Sequence, residues 1–199
     1  MQDTARPLLV LDVDETLVHC CTEPLPGRQP DFVLTVPGDF PRTVETYYGY
    51  LRPHVRSFLS GCAELFDLAV WSAGGKNYLA ALLPELLPEG VQLRFVYDAS
   101  RCIERRDPET QEKYNLKDLS KLKKKYSLSR LLLVEDTPAN ASRHYGNLVR
   151  VKPFHGETDD EELLHLQRYL ARIHAHTDFR RLEKRGWRAH VSLNSNGEK

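Results

Sequence analysis

Apolar and polar positions alternate with two different periods along the chain. Continuous apolar runs predict strands covered on both faces, as in a parallel sheet. Such runs predict strands at residues 8–11, 68–72, 93–97, 131–134 and 147–151. Apolar residues three or four positions apart predict amphipathic helices at 55–65, 76–86 and 161–173, and the basic segment 116–126 is predicted to be a further helix.

Two other segments have hairpin patterns. Residues 31–36 and 43–50 alternate apolar and polar side chains around Pro37-Gly38-Asp39, a sequence that favours a turn. The polar segment 101–114, which contains Pro108, is predicted to be a second hairpin or an excursion near the site. Strands alternating with helices predict an α/β fold with helices covering a parallel sheet.

Length and charge restrict the organisation and the partners. At 199 residues, we expect one domain at 1–174 and a C-terminal tail at 175–199 that is partly disordered. The 28 Lys and Arg residues balance the 28 Asp and Glu residues, so no global field favours nucleic acid or a membrane. The lysines at 121–125 are interpreted as a solvated helix face. We expect neither a secretory signal nor a transmembrane helix.

The cysteines indicate a compartment. Cys20, Cys21, Cys62 and Cys102 lack the spacing of a metal site, and adjacent Cys20 and Cys21 would bridge each other only with strain. Free thiols fit a reducing environment, which predicts an intracellular protein of the cytoplasm or nucleus. The oligomeric state stays open.

An acidic pair ends the first apolar run. Asp12 and Asp14 are two residues apart, so an extended strand would direct both carboxylates the same way. They repel each other unless a cation lies between them, and Mg²⁺ prefers such oxygen ligands. The pair predicts metal-assisted phosphoryl transfer, with one carboxylate attacking phosphorus and the other moving a proton. The alternative is structural, since aspartate also satisfies backbone groups where strands end.

Other polar residues follow other predicted strands. Ser72 and Asp136 each end an apolar run, as Asp12 does. In open parallel sheets, sites form beyond the carboxyl ends of the strands. The three side chains are therefore expected to converge, which favours a functional site over isolated strand ends.

Ordered motifs carry a family resemblance over about residues 8–174. They are the DxDxT sequence at 12–16, Leu-Arg-Pro-His-Val at 51–55, the Trp-Ser strand end at 71–72, Tyr-Asn-Leu-Lys-Asp-Leu at 114–119, and Glu-Asp-Thr-Pro at 135–138. The chain resembles the haloacid dehalogenase superfamily. Within it, the chain is similar to the NLI-interacting-factor-like family, which includes phosphatases of the RNA polymerase II C-terminal domain and nuclear envelope phosphatases. The resemblance implies a Rossmann-like fold with a small hairpin insertion and no large cap domain.

The resemblance also implies catalytic roles. Asp12 would be the nucleophile, and Asp14 the general acid and then the general base. Ser72 would donate to a phosphoryl oxygen, although a serine before Gly74-Gly75 also fits a local capping role. Lys117 would pair with the nucleophile and the phosphoryl oxygens.

Metal and substrate contacts follow from the same resemblance. The implied Mg²⁺ ligands are Asp12, Asp14 through its carbonyl, and Asp136. Glu135 replaces an acid that is shorter by one methylene in the family, so it is expected to hold a metal-bound water or Lys117. Thr16 is expected to support the loop beside the substrate site. Arg52 is expected to contact substrate or to pack, and Arg101 to replace an arginine that we do not find after the strand at 93–97.

The predicted function is a Mg²⁺-dependent phosphomonoester hydrolase that acts through an aspartyl-phosphate. With little sequence for a lid, the site should admit a phosphoserine or phosphothreonine segment of a protein. The alternative is a phosphatase for nucleotides, nucleic-acid ends or another non-protein phosphoester, because the catalytic centre would be the same. A third hypothesis is a binding module without catalysis, which the complete set of acids and the lysine disfavour.

Overall fold

Strands and helices alternate through the computed structural model, which describes residues 6–38 and 43–192. The strands are β1 (Leu8–Leu11), β2 (Val18–Cys21), β3 (Phe32–Pro37), β4 (Val44–Leu51), β5 (Asp67–Trp71), β6 (Leu93–Tyr97), β7 (Ile103–Arg106), β8 (Lys113–Leu116), β9 (Leu131–Glu135) and β10 (Leu148–Arg150). The helices are α1 (Val55–Leu65), α2 (Lys76–Leu86), α3 (Glu162–Ile173) and α4 (Ala189–Ser192).

A five-stranded parallel sheet of order β10-β9-β1-β5-β6 forms the centre. Every residue of the central strand β1 is buried. Side chains of β1 alternate between the two faces: Leu9 and Leu11 belong to the apolar cluster that includes α1, α2 and α3, whereas Leu8 and Val10 belong to a second cluster with Leu119 and Leu122. This two-sided covering explains the continuous apolar runs, and the predicted α/β fold with a parallel sheet is confirmed.

Two smaller sheets are inserted between the strands of the main sheet. A three-stranded antiparallel sheet of order β2-β4-β3 contains the predicted hairpin, and Gly38 donates to the Thr43 carbonyl at 2.9 Å next to its turn. Residues 39–42, which include Asp39 of the predicted turn, lie outside the described residues. Strands β7 and β8 form the second predicted hairpin. Among the residues described, these two sheets are the insertions, and neither has the size of a large cap domain.

The helix predicted at 116–126 is wrong. Residue Leu116 ends β8, and the chain then makes a short 3₁₀ helix over Leu119–Leu122. The Asp118 side chain accepts a hydrogen bond from the Ser120 N–H at 3.0 Å, so it caps a tight turn instead of extending a helix. Leu119 and Leu122, three positions apart, are buried as one 3₁₀ turn allows.

The chain beyond α3 packs on the same core. Phe179 and Trp187 are completely buried, and the Trp187 indole N–H donates to the Arg150 carbonyl at 2.8 Å. The predicted domain boundary at residue 174 therefore falls inside a packed region. Residues 193–199, where we expected disorder, lie outside the described residues. In the described ranges, no helix combines the length and the apolar character that a membrane crossing requires.

Candidate active site

A tight turn after β1 shapes the acidic motif. The Asp12 N–H donates to the Val134 carbonyl at 3.0 Å, so the central ladder extends to the motif. Glu15 then adopts a φ of 54°, in the left-handed region that few non-glycine residues occupy. The turn returns Thr16 towards the strand, and its Oγ1 donates to Asp12 Oδ2 at 3.1 Å. The loop thus fixes the orientation of the buried Asp12 carboxylate.

Lys117 bridges two buried carboxylates. Lys117 follows the last residue of β8, and its backbone N–H donates to the Asn140 carbonyl at 2.8 Å. Its Nζ donates to Asp12 Oδ1 and, at 2.6 Å, to Glu135 Oε2. Burial alone would lower the pKa of Lys117, but the carboxylates of Asp12 and Glu135 outweigh burial and raise it above its usual range. Lys117 is therefore a constant cation beside Asp12.

Negative charge remains in excess around this lysine. Burial raises the pKa of Asp12 to about 6, against the lowering effect of Lys117. Burial, followed by repulsion from Asp12, raises the pKa of Glu135 to about 8. One ammonium group does not neutralise Asp12, Glu135 and Asp136 together. The cluster therefore favours an additional cation.

Three carboxyl groups converge where that cation would bind. Asp12, Glu135 and Asp136 each offer one oxygen, and these oxygens lie within 4.8 Å of one another. Asp136 is only partly buried and accepts hydrogen bonds from Thr137 Oγ1 at 3.1 Å and Thr16 Oγ1 at 3.5 Å. The oxygen-only donor set fits Mg²⁺.

Glu135 differs from Asp136 in its burial and in its hydrogen-bond partners. Its Oε2 accepts from Lys117, and its Oε1 accepts from the Thr137 N–H at 3.1 Å and from Asn140 Nδ2 at 3.3 Å. Its side chain is completely buried. These contacts agree with the expectation that Glu135 holds Lys117, and they leave Asp136 as the more accessible ligand.

The side chains that hydrogen-bond to Asp14 are neutral hydroxyl groups. Its Oδ2 accepts from Ser72 Oγ at 3.2 Å, and its Oδ1 accepts from the Tyr78 hydroxyl at 2.5 Å. Burial raises the pKa of Asp14, while the hydrogen bonds from Tyr78 and Ser72 oppose that increase. Ser72 Oγ also accepts a hydrogen bond from the Gly74 N–H at 2.8 Å, which is the kind of local capping contact considered for this serine. Asp12 faces a cation and Asp14 faces hydroxyl donors.

Sequence reasoning missed Tyr78. This tyrosine lies in the first turn of α2, and its ring packs on Tyr47 of β4 with centroids 5.2 Å apart. Burial raises the pKa of Tyr78, which keeps its hydroxyl a hydrogen-bond donor. A single tyrosine in an amphipathic helix gives no pattern to recognise. Its place in the first turn of the helix that follows Ser72 was the available indication.

The expected substrate contact by Arg52 needs correction. Its guanidinium is fully buried and forms a two-point ion pair with Asp160, at 2.9 and 2.8 Å. It also donates to the Thr16 carbonyl at 3.0 Å and lies over the Phe154 ring. Because its N–H groups donate to protein atoms, Arg52 supports the loop at residues 12–16. These contacts fit the expectation that Arg52 packs in the protein and do not fit a contact with substrate.

The structure does not bring Arg101 into the acidic cluster. Its side chain is exposed and lies over the ring of Tyr97 at 5.2 Å, and its carbonyl accepts from Lys121 Nζ at 2.6 Å. The expected replacement for a phosphate-binding arginine stays a prediction.

Glu15, His19 and His155 form a second group of ligating side chains beside the motif. Glu15 Oε1 and His19 Nδ1 are 3.0 Å apart, and the rings of His19 and His155 meet edge to face. Burial raises the pKa of Glu15 to about 7, with further increases from Asp14 and Asp136. No role for these three residues is predicted from the sequence.

Comparison with known proteins places this geometry in a family. The sequence profile of the NLI interacting factor-like phosphatases matches residues 7–180. Phosphatase Herzog of Drosophila melanogaster is 32% identical over 166 residues, which cover 83% of this chain and 44% of that protein. The CTD small phosphatase-like protein of Homo sapiens is 32% identical over 164 residues, covering 82% of this chain and 55% of that protein. The chain thus spans about half the length of these relatives.

A solved structure supports the same fold. The structure of Fcp1, described as an essential RNA polymerase II CTD phosphatase, superposes with a TM-score of 0.64 and 18% identity, covering 85% of this chain and 62% of that one. At this identity the likeness concerns the fold alone, which is the haloacid dehalogenase fold. The profile match extends from before β1 into the segment after α3 and includes every motif discussed above. The chain therefore belongs to the NLI interacting factor-like phosphatase family.

Proposed function

We propose that the protein is a Mg²⁺-dependent phosphatase that removes phosphoryl groups from serine or threonine in protein segments. The observation that carries this proposal is the difference between the two motif carboxylates. Asp12 is hydrogen-bonded to Lys117, which favours its ionised form, whereas Asp14 is held by the neutral hydroxyls of Ser72 and Tyr78. Paired acids in contrasting environments are typical of a nucleophile and a proton donor.

The donor set supports the magnesium requirement. Asp12 and Asp136 would hold Mg²⁺ directly, with Glu135 behind them on Lys117, and the Asp14 carbonyl is the further ligand that the family resemblance implies. Bound Mg²⁺ would neutralise charge on the phosphoryl oxygens and orient them. Lys117 adds a fixed positive charge at the same position without changing its protonation state.

The proposed chemistry has two steps. In the first, an Asp12 carboxylate oxygen attacks phosphorus, the bond between phosphorus and the ester oxygen breaks, and Asp14 gives its proton to the leaving alkoxide. In the second, Asp14 takes a proton from water, and the water oxygen attacks phosphorus of the aspartyl-phosphate. Inorganic phosphate leaves and Asp12 returns as a carboxylate.

A protein substrate is supported by the surroundings of the acids. The inserted sheet is small, and it meets the site where Tyr47 packs on Tyr78. Tyr47 and Leu34 share the face of this sheet that is turned towards the site, whereas Val33 and Val44 are exposed on its other face. Human and Drosophila relatives bear phosphatase names, and the human name refers to a CTD. A site bordered by a small sheet, with no large cap domain among the described residues, suits a protein segment better than a small metabolite.

A substrate panel tests this proposal. Phosphoserine and phosphothreonine peptides, nucleotides, 5′-phosphorylated oligonucleotides and an aryl phosphate are compared by kcat/KM with Mg²⁺ present. Asp12→Asn protein, prepared in the same way, controls for contaminating phosphatases. We expect the phosphopeptides to have the highest kcat/KM. A wide margin in favour of nucleotides or oligonucleotide ends would replace the protein-phosphatase proposal with the alternative.

A further inference from the structure

A cavity of about 900 Å³ lies between β10 and the segment before α4. The cationic side chains on its wall are Arg150, Lys152, Arg180, Lys184, Arg185 and Arg188, and Glu183 is the acidic one. The whole chain has a formal net charge of zero. The excess of positive charge here is therefore a local feature, which neither the composition nor the catalytic motifs explain.

Only part of this positive charge is compensated by neighbouring acids. Arg185 pairs with Glu183 at 2.7 Å, and Arg188 pairs with the buried Glu162. Arg150, Lys152 and Arg180 have exposed side chains, and none has a carboxylate oxygen within 4.0 Å among residues 6–38 and 43–192. These three cations remain available for an anion.

Lys184 is a buried cationic residue of the cavity wall. It is 5% exposed, and its Nζ donates to the carbonyls of Phe179 and Leu182, at 2.5 and 2.8 Å. Burial lowers the pKa of Lys184, while the carboxylates of Glu183 and Asp178 favour its ammonium form. The cavity wall therefore contains one lysine that packing and hydrogen bonds hold in place, in addition to its exposed cationic side chains.

The wall is also anchored to the core. The Arg150 carbonyl accepts from the Trp187 indole, which connects β10 to the segment before α4. Gly146 lies against Arg180, because a Cβ there would be 3.5 Å from both the Cβ and the carbonyl oxygen of Arg180. The concave shape is therefore built by packing between β10 and residues 179–188.

Part of the cavity wall lies at the carboxyl end of the sheet, where the catalytic acids also lie. Pro138 lines the cavity and follows Asp136 by two residues, so their Cα atoms are at most about 7 Å apart. Arg150 also lies opposite Glu135 in the register of β10 and β9. A peptide with one phosphoryl group at Asp12 would reach the cavity within a few residues, since an extended chain advances about 3.3–3.6 Å per residue.

We propose that this cavity binds a second anionic group of the same substrate segment, either another phosphoryl group or a cluster of carboxylates. The proposal rests on the proposed function, and it adds that the preferred substrates are multiply phosphorylated or acidic near the cleaved phosphate. Arginine and lysine recognise phosphate through charge-assisted hydrogen bonds. Arg150, Lys152 and Arg180 would supply these bonds.

The test compares peptides that differ only in the second anion. One set carries a single phosphoserine, a second carries another phosphoserine one to six positions away on either side, and a third carries glutamates there. The variant Arg150→Gln/Lys152→Gln/Arg180→Gln removes the available cations. The control variant Lys123→Gln/Lys124→Gln removes exposed lysines that do not line the cavity.

We expect kcat/KM to be about tenfold higher for the best doubly phosphorylated peptide than for the singly phosphorylated one, mainly through KM. The triple variant should lose this ratio and keep its activity on the single phosphopeptide and on an aryl phosphate. The control variant should keep the ratio. The glutamate peptides show whether carboxylates can replace the second phosphoryl group.

Several outcomes would overturn the inference. The decisive quantity is the ratio of kcat/KM for the doubly phosphorylated peptide to that for the singly phosphorylated one. A wild-type ratio near one, or a ratio that the triple variant retains, would show that the cavity does not bind a second anion, and it would leave the proposed function intact. Loss of hydrolysis of every phosphopeptide, with nucleotide hydrolysis retained, would instead remove the proposed function and this inference together. A ratio near one combined with variant-sensitive inhibition by an unphosphorylated single-stranded oligonucleotide would assign the cavity to nucleic acid.

Discussion

At the scale of single residues, the site gives different hydrogen-bond partners to two carboxyl groups that are close together in the motif and identical in chemistry. Asp12 and Asp14 are two positions apart, yet a lysine holds one and two hydroxyls hold the other. The turn at Glu15, with its positive φ, lets the chain reverse so that Thr16 also contacts Asp12. Different partners, more than different burial, set the two proposed roles.

Tyr78 is expected to position Asp14 and tune its acidity. The change Tyr78→Phe keeps the ring against Tyr47 and removes the hydroxyl that donates to Asp14. We expect kcat to fall about tenfold, the size of one lost charge-assisted hydrogen bond. That bond lowers the pKa of Asp14, so its loss raises this pKa and moves the alkaline limb of the kcat/KM profile to higher pH.

The measurement is a pH profile of kcat/KM on one phosphopeptide. Tyr126→Phe is the matched control, because the Tyr126 ring lies 6.3 Å from that of Phe95, outside the acidic cluster and away from the cavity wall. An alkaline limb that stays in place, or moves to lower pH, would argue against Asp14 as the proton donor.

The two acids after β9 are expected to respond differently to metal. Asp136→Asn removes a charge from the accessible ligand, so the Mg²⁺ concentration for half-maximal activity should rise at least about tenfold. Glu135→Gln should lower kcat instead, because Lys117 loses a charged partner while the metal ligands remain. Mg²⁺ titrations of both variants measure this. A larger increase in the Mg²⁺ requirement for Glu135→Gln would reverse the assignment.

Residues of the site differ in how far the sequence predicts them. Asp12, Ser72 and Asp136 could be predicted to converge, because each ends a strand of one parallel sheet. The role of Arg52 could not, since it depends on Asp160, 108 residues further along the chain. Tyr78 is similar, because its distance from Asp14 is set by how α2 packs on the sheet.

At the scale of elements, Asp118 holds the segment that delivers Lys117. Its carboxylate accepts from His144 Nε2 at 2.9 Å and Arg143 Nη1 at 3.0 Å, and it caps the following 3₁₀ helix. Burial would raise the pKa of Asp118, but the hydrogen bonds outweigh burial and hold it well below its usual range. The ionised form is thus favoured by folding.

Asp118→Asn is expected to reduce the free energy of unfolding by about 1–3 kcal/mol at neutral pH. Because the pKa is lower in the folded state, this stability is present above the unfolded value of about 3.9 and is lost as pH falls through the folded value. The difference between wild type and variant should therefore shrink below about pH 4. Denaturant unfolding at several pH values measures it, and a difference that grows on acidification would contradict the assignment.

Pattern alone predicted most elements because packing agreed with it. Helices α1, α2 and α3 bury the apolar faces that their spacing indicates, and both hairpins formed. The segment 116–126 failed because its local capping by Asp118 and its extended entry from β8 compete with helical propensity. Leu116, Leu119 and Leu122 recur every third position, a spacing that a strand end followed by a 3₁₀ turn buries as fully as an α-helix would.

At the scale of the whole molecule, the chain after α3 completes the core on which the site is built. Trp187 packs on Tyr169 with ring centroids 5.6 Å apart and is bonded to the end of β10, beside the strand that carries Glu135. A tail is predicted here because the segment from residue 175 onward has mixed polarity. Two isolated aromatic residues of the segment, Phe179 and Trp187, make the packing contacts.

Trp187→Ala is therefore expected to lower the free energy of unfolding by about 3–5 kcal/mol, as for other large-to-small changes in a core. Truncation after residue 174 should be more damaging, because it removes Phe179 as well. Val33→Ala, at an exposed site, should change stability little. Denaturant unfolding compares the three, and a truncated chain as stable as the full chain would make residues 175–192 dispensable.

The central claim is that Asp12 carries the phosphoryl group during turnover. A rapid acid quench of a single turnover, with a phosphopeptide labelled in its phosphoryl group and Mg²⁺ present, tests it most directly. We predict label on the protein that forms before free phosphate, is released by hydroxylamine as an acyl phosphate is, and maps by mass spectrometry to Asp12. Asp12→Asn should show neither label nor turnover. Free phosphate that appears with no labelled protein at any time, together with wild-type hydrolysis by Asp12→Asn, would contradict the account.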